Sequence, residues 1–291
     1  ENNWLCPDHY QISMAEKVSD KTSPTNIGLQ FLAILSARDF GFETLSATVE
    51  TVENLMGTVQ KMLKWKGHLY NWYDIKTLEV LSPAYVSTVD SGNFLGHLVA
   101  LKNGLFEQID KPVCPDGFLS ELRAAVRYSN EEIRLKTGDS AGNRLKAGYQ
   151  SIGELTEDLS DIWESLNAGE LRPPADYRWT RHLMSLIDST VREMAALKRK
   201  EEGFSSGPSL RRIAAEGNEF ANGVIGRIKA LGNQINCILA NADFRFLFDE
   251  KRMLFHIGYH VSSHTLDDGC YDLMASESAL TSYLAIAMGQ A

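Results

Sequence analysis

The sequence predicts a mostly α-helical fold, an α/α toroid, whole or in part, with short β-hairpins set before its inner helices. Three observations predict it. Helical segments alternate in character, one apolar around most of its circumference and the next with a single apolar stripe. Two stretches, Gly67 to Gly104 and Phe246 to Gly289, read as copies of one unit: an aromatic strand, a polar turn, a returning strand and a helix opened by Asp and Gly. No low-complexity linker divides the chain, so residues 1–291 read as a single domain.

Taken in order, the run Thr22-Ser23-Pro24-Thr25-Asn26 is a helix start, with capping side chains and a proline suited to a first turn. In the helix that follows, Ile27 to Phe40, the apolar residues Ile27, Leu29, Phe31, Leu32, Ile34 and Leu35 spread around the axis, which predicts burial on most sides. The next helix, Leu45 to Trp65, gathers Leu45, Val49, Val52, Leu55, Met56, Val59, Met62 and Leu63 on one stripe, with Glu50, Glu53 and Lys61 opposite. The first hairpin then runs from His68 to Asp74, through a turn with Lys76 and Leu78, to Val86–Gly92 and the apolar segment Phe94 to Leu105. Gly117 to Gly203 reads as three polar-faced helices broken at Gly138 and at Gly169 to Pro174. The last of them carries a stripe of Leu183, Leu186, Ile187, Val191, Met194 and Leu197. One more helix is expected from Leu210 to about Leu231. The second hairpin follows, Phe246 to Asp249, a turn with Lys251 and Leu254, and Val261 to Leu266, before a helix opened by Asp267-Asp268-Gly269.

Composition removes whole classes of function. A formal net charge of −9 leaves no concentrated basic face for nucleic acid, and Lys198-Arg199-Lys200 is followed at once by Glu201 and Glu202. No apolar run approaches the roughly 18 residues that span a bilayer, so the segment itself is expected to be soluble and free of membrane contact. The chain opens on Glu1 and stops at Ala291 after an apolar helix, which reads as a piece of something longer. Cys6, Cys114, Cys237 and Cys270 have no paired spacing and read as free thiols. No phosphate loop, dinucleotide glycine pattern or nucleophile elbow is present, and no cofactor is expected. His256, His260 and His264 recur every four residues, but no acidic partner stands at a fixed spacing, so no metal is expected either.

The carboxylates carry the chemistry. Asp74, Asp90, Asp272 and Glu277 sit in or just after the two hairpins, and glycoside chemistry needs two carboxyl groups flanking the scissile bond. Asp90 and Asp272 are alternatively helix caps. Glu277 lies in the apolar stretch Leu273 to Leu280, where it either opens into a cleft or pairs with a buried cation such as Arg38. Tyr70, Trp72 and Tyr73 form an aromatic cluster that serves either as core or as a platform for flat sugar faces.

Trp4…Pro7-Asp8-His9-Tyr10-Gln11, Thr22 to Gly28, Ala37 to Gly41, Gly67 to Asp74, Tyr85 to Asn93 and Cys270 to Glu277 together resemble the middle region of bacterial cyclic β-1,2-glucan synthases, with a weaker stretch from about Lys111 to Asn241. The resemblance implies a glucoamylase-like (α/α)6 region of a large membrane-associated enzyme at the cytoplasmic face of the bacterial inner membrane. Its neighbours there are a glycosyltransferase region and a phosphorylase-like region. It implies retaining transglycosylation, in which linear β-1,2-glucan is cleaved and rejoined as a ring. On that reading Glu277 is the catalytic candidate, and Trp72, Tyr73, Asp74, Asp90, Asn93, Tyr271 and Asp272 contact substrate, with Arg38 and Asp39 as buried supports. The second catalytic carboxyl is expected beyond the segment corresponding to Ala291. A hydrolase or phosphorylase on the same scaffold, and a non-catalytic module that holds glucan, are the rival readings.

Overall fold

The structure is a computed structural model describing residues 2–12, 17–113, 116–137, 157, 177–198, 207–272 and 277–291. Its helices are α1 (Pro24–Asp39), α2 (Leu45–Lys61), α3 (Thr88–Gln108), α4 (Asp116–Thr137), α5 (Arg178–Ala196), α6 (Leu210–Ala215), α7 (Glu219–Asn241) and α8 (Ala279–Ala287). Its strands are short: β1 (Tyr10–Gln11), β2 (Lys17–Val18), β3 (Lys21–Thr22), β4 (Lys64–Trp65), β5 (His68–Leu69), β6 (Tyr73–Asp74), β7 (Tyr85–Ser87), β8 (Phe248–Asp249), β9 (Leu254–Phe255), β10 (Gly258–His260) and β11 (Thr265–Leu266). The described residues are mostly helical with small sheets and close no barrel. Among them, no helix is long and apolar enough to cross a membrane. They form two compact units, one of residues 1–35, 50–105 and 228–291, the other of residues 36–49 and 106–227.

In the first unit, α1 starts where the sequence predicts, with Ser23 Oγ accepting the Asn26 N–H at 3.3 Å. Ile27 and Phe31 are fully enclosed but Leu29 is 51% exposed, so α1 buries one side and not most of its circumference. α2 obeys its stripe, with Val52, Leu55, Met56 and Val59 fully buried. Leu63 is exposed because the helix stops at Lys61, short of the expected Trp65. There the Lys64 ammonium turns back onto the carbonyls of Val59 (2.6 Å) and Met62 (2.9 Å), satisfying acceptors the helix end leaves open. α3 follows β7 without an intervening residue and is the enclosed helix of the unit, burying Val89, Phe94, Leu95, Leu98, Leu101 and Leu105. Thr281 of α8 donates its hydroxyl to the Thr88 carbonyl at 2.8 Å, tying α8 to the start of α3.

The repeat read from the sequence holds at its turn and parts company afterwards. The Leu81 N–H meets the Trp72 carbonyl at 2.9 Å, as the His256 N–H meets that of Leu247 at 2.9 Å. Leu78 and Met253 both sit at positive φ, 63° and 56°, and both donate to an Asp carbonyl, Asp74 at 3.0 Å and Asp249 at 2.8 Å. Beyond the turn, the first copy passes through β7 straight into α3, whereas the second makes β10 and β11 and reaches α8 only at Ala279. Asp267-Asp268-Gly269 therefore opens no helix, because this segment runs extended beside the second hairpin. The Ile257 N–H donates to the Gly269 carbonyl at 3.1 Å and the Tyr271 N–H to that of Phe255 at 2.8 Å.

In the second unit, Leu122, Ala125, Val126 and Ile133 of α4 are buried, as are Leu183, Leu186 and Ile187 of α5. Val191 departs from the expected stripe and is 42% exposed, while Glu193 is buried in its stead. That carboxylate is tolerable inside because it accepts the Ser46 N–H (2.7 Å) and hydroxyl (2.5 Å) in the first turn of α2, where free N–H groups favour an anion. Glu132 does the same for α5, accepting the Thr180 N–H at 2.9 Å. The single helix expected from Leu210 to about Leu231 is two, α6 and α7, divided at Gly217 (φ 87°), after which Asn218 Oδ1 accepts the Ala221 N–H at 2.9 Å. Arg38 is buried as expected and donates to the Glu43 and Val113 carbonyls at 3.3 and 2.5 Å, whereas Asp39 is exposed at the end of α1 and accepts from Gln108 at 2.8 Å. The helix expected between Gly138 and Gly169 lies outside the described residues.

Candidate functional site

The two hairpins meet at a sheet of order β11-β10-β7, in which Tyr85 stands opposite His260 and Gly258 opposite Ser87. Opposite residues share a face, and the Tyr85 and His260 rings lie 4.8 Å apart. Together they hold Asp267, which accepts from Tyr85 Oη at 2.5 Å on Oδ2 and from His260 Nε2 at 3.1 Å on Oδ1. Gly258 makes the arrangement fit, since a Cβ there would stand 2.1 Å from Tyr85 Oη and 2.6 Å from the Val86 carbonyl oxygen. Burial raises the Tyr85 phenol far above its ordinary range, and the bond to Asp267 raises it further, so the phenol stays a proton donor.

Asp90 comes from the first turn of α3, but Ser87 caps that helix, its hydroxyl accepting the Asp90 N–H at 3.2 Å. The Asp90 carboxylate instead reaches the first turn of α1, accepting the Thr25 N–H at 3.3 Å, and takes Asn71 Nδ2 at 3.1 Å on its other oxygen. Asn93 completes this corner by donating to Thr25 Oγ1 at 3.2 Å. The buried Oδ1 of Asn71 meets no donor.

Burial pushes the Tyr271 phenol above its usual range, and the carboxylates of Glu277, Asp90 and Asp267 push it the same way. They differ in surroundings: Asp267 is gripped at both oxygens, Asp90 takes neutral donors, and Glu277 is exposed just before α8. Carboxylates held in unlike environments can divide acid, base and nucleophile roles among themselves.

The other expected site residues are placed as follows. Tyr73 is fully enclosed, donating to the Leu63 carbonyl at 2.5 Å and accepting the Tyr70 N–H at 2.8 Å, which makes it core. Asp74 Oδ1 caps its own turn through the N–H groups of Lys76 and Thr77 at 2.8 and 2.9 Å, and these bonds hold its carboxyl below the usual range. Trp72 is half-buried, with the Lys21 ammonium 3.9 Å from its ring centre. Asp272 is exposed beside Tyr271 in the chain. The three spaced histidines separate: His260 serves Asp267, His264 lies against Trp65 with ring centres 6.1 Å apart, and His256 joins Asp249 and Cys270. Cys6, Cys237 and Cys270 are free thiols, and Cys114 lies outside the described residues.

No family model matches the chain. Across 99% of its length it is 33% identical to the cyclic beta-(1,2)-glucan synthase NdvB of Rhizobium meliloti (strain 1021), and it spans about a tenth of that protein. The chain matches a segment of a cyclic β-(1,2)-glucan synthase. Within this synthase-like segment, Asn71, Tyr85, Asp90, Asn93, Tyr271 and Glu277 fall in the stretches Gly67 to Asp74, Tyr85 to Asn93 and Cys270 to Glu277, while His260 and Asp267 fall outside them. Tyr85, Asn71, His260 and Asp267 are not among the catalytic or sugar-contact residues that the sequence predicts. Asp267 was legible as a conspicuous Asp-Asp-Gly, but the pattern was read as a helix start.

Proposed function

We propose that this chain is the carbohydrate-active region of a cyclic β-1,2-glucan synthase, part of an (α/α)6 toroid, and that it rejoins linear β-1,2-glucan into rings by retaining transglycosylation. The observation that carries the proposal is the seating of two carboxylates where the hairpins meet, Asp90 by Thr25 and Asn71 and Asp267 by Tyr85 and His260. The kinship with the synthase supplies the substrate class. The succession of α1, α2, hairpin and α3 supports the toroid.

In this mechanism Glu277 is one of the two carboxyl groups. One carboxyl protonates the oxygen leaving the anomeric carbon while the other forms a glycosyl-enzyme bond. The deprotonated acid then takes the proton of an incoming sugar hydroxyl, which displaces the enzyme carboxylate. Water is neither consumed nor released, because the attacking hydroxyl belongs to the same glucan chain. Trp72, Asp90, Asn93, Tyr271 and Asp272 contact the sugar. Asn71 Oδ1 accepts a sugar hydroxyl, its buried oxygen having no donor among the described residues. Tyr73 and Asp74 support the hairpin.

The test is to incubate the region, within its parent, with linear β-1,2-glucan in the absence of phosphate and to weigh the products. Rings, one water lighter than linear chains of the same length, support the proposal. Shorter linear chains mark a hydrolase, a phosphate requirement marks a phosphorylase, and bound but unchanged glucan marks a holding module. Glu277→Gln is expected to lower ring formation by about 10³-fold or more, a scale set by the loss of an essential acid, base or nucleophile, with thermal unfolding unchanged. Full activity in that variant removes Glu277 from the catalytic pair.

A further inference from the structure

Behind Asp267 lies a second group of side chains that the transglycosylation does not use. Asp249 on β8, His256 after β9 and Cys270 beside it have one ligand atom each within 4.8 Å of one another. The backbone fixes all three. His256 and Cys270 form an antiparallel bridge, and Asp249 Oδ1 is tied into the turn by the N–H groups of Lys251 (2.9 Å) and Arg252 (3.1 Å). Its Oδ2 lies 3.9 Å from His256 Nε2, too far for a hydrogen bond and close enough for both atoms to share a cation. His256 Nδ1 stands 2.7 Å from the Asp267 carbonyl oxygen and 3.8 Å from Cys270 Sγ. A carbonyl only accepts, so the proton is on Nδ1, and in the neutral imidazole the lone pair is on Nε2, on the Asp249 side.

We propose that Asp249, His256 and Cys270 bind one thiophilic divalent cation of the zinc class. The donors are one thiolate, one imidazole and one carboxylate, the mixed set that zinc takes in three-ligand sites with a fourth position left for water. The outer supports such sites need are present, since the imidazole donates to a backbone carbonyl and the carboxylate accepts two backbone N–H groups. Arg252 is the competing charge, with Nη1 3.5 Å from Cys270 Sγ and Nε 3.8 Å from Asp249 Oδ2. Its side chain is 58% exposed, and the cation takes over its role as counter-charge while the guanidinium swings into solvent. Bound there, the cation clamps the Asp267 to Tyr271 segment onto the second hairpin. That consequence rests on the proposed active site, but the binding does not.

Cobalt(II) reads the site directly. The full chain, stripped with chelator and titrated with cobalt(II), is expected to develop a thiolate-to-metal charge-transfer band and four-coordinate visible bands, saturating at about one equivalent, the stoichiometry of a single closed ligand set. Zinc should displace the cobalt, as the order of divalent affinities requires. Cys270→Ser should abolish the charge-transfer band, and Asp249→Asn or His256→Ala should weaken binding at least about tenfold. Asp74→Asn, at the matching turn of the first hairpin, should leave it unchanged. Arg252→Ala keeps all three ligands and should tighten binding. Absence of the band, its survival in Cys270→Ser, or weaker binding in Arg252→Ala overturns the proposal whatever the chain does with glucan.

Discussion

The hairpins around Asp74 and Asp249 share a turn and differ in everything it leads to. In both, an Asp carboxylate accepts two backbone N–H groups and the fourth residue after it takes a left-handed conformation. In the first, the return strand feeds α3 directly, and the histidine that precedes the turn, His68, is sealed between Phe244 and Phe246. In the second, the return strand is laid against β7, and its histidines face Asp267, Asp249 and Cys270. Both copies reach the candidate site, the first through Asn71, Tyr85 and Asp90 and the second through His260 and Asp267. A turn is a local object that a few residues specify, whereas the use made of it depends on what the following strand meets.

Placing an alanine at Gly258 should break this contrast most severely. The added carbon meets both the Tyr85 phenol and the Val86 carbonyl, so β10 cannot stay in register with β7. A loss of about 3 to 4 kcal/mol is expected in denaturant unfolding, the range for overpacking against backbone, together with loss of the Asp267 contact. A change below about 1 kcal/mol would mean that the two hairpins do not depend on each other. The buried His68 predicts the next effect. Burial pushes its pKa from 6.5 down to about 4, partly opposed by its bond to the Asp243 carbonyl at 3.0 Å. The unfolded chain therefore binds this proton more readily than the folded one. Stability from His68 is complete above about pH 6.5, falls as the pH drops toward 4, and levels off below, by about 3 kcal/mol in all. His68→Gln should flatten that part of the stability profile.

What was legible in the sequence was whatever short-range physics decides. The Thr22-Ser23-Pro24 start, the α2 stripe and the repeated turn were all readable, because a cap, a face or an Asp-bearing turn is complete within a few residues. The (α/α)6 toroid is a larger object, set by contacts between helices far apart in the chain, and the described residues close no barrel. The misreadings share one cause. Asp267-Asp268-Gly269 has the composition of a helix start, but β10 and Tyr85 claim the segment first. Glu193 and Glu132 cap α2 and α5 from distant positions, which no local pattern reveals. At the candidate site, Asp90, Tyr271 and Glu277 stand out in the sequence as acidic and aromatic residues beside the hairpins. Tyr85 does not stand out, because its importance comes from Asp267, a partner 182 positions along the chain.

Two smaller effects sharpen the comparison from its common side. Asp74→Ala and Asp249→Ala each remove a side chain that satisfies two turn N–H groups, and each should cost about 1 kcal/mol, the usual scale for a cap. Equal losses would establish that the turns are energetically one motif, while only the second substitution should alter cobalt binding. A difference well beyond about 1 kcal/mol would instead show that one Asp has further structural duties. The finest test lies at the left-handed residues themselves. Met253 is 61% exposed at φ 56°, so its side chain gains little from burial while its backbone sits where glycine is at ease. Met253→Gly should raise stability by about 0.5 kcal/mol. Leu78 has the same backbone at φ 63° but is half-buried, so the relief and the lost packing should nearly cancel in Leu78→Gly. Thermal unfolding of the two variants separates the contributions, because backbone strain is common to both turns and side-chain burial is not. If Met253→Gly destabilises instead, the exposed methionine is held by packing that the first hairpin does not share, and the likeness of the two turns ends at the backbone.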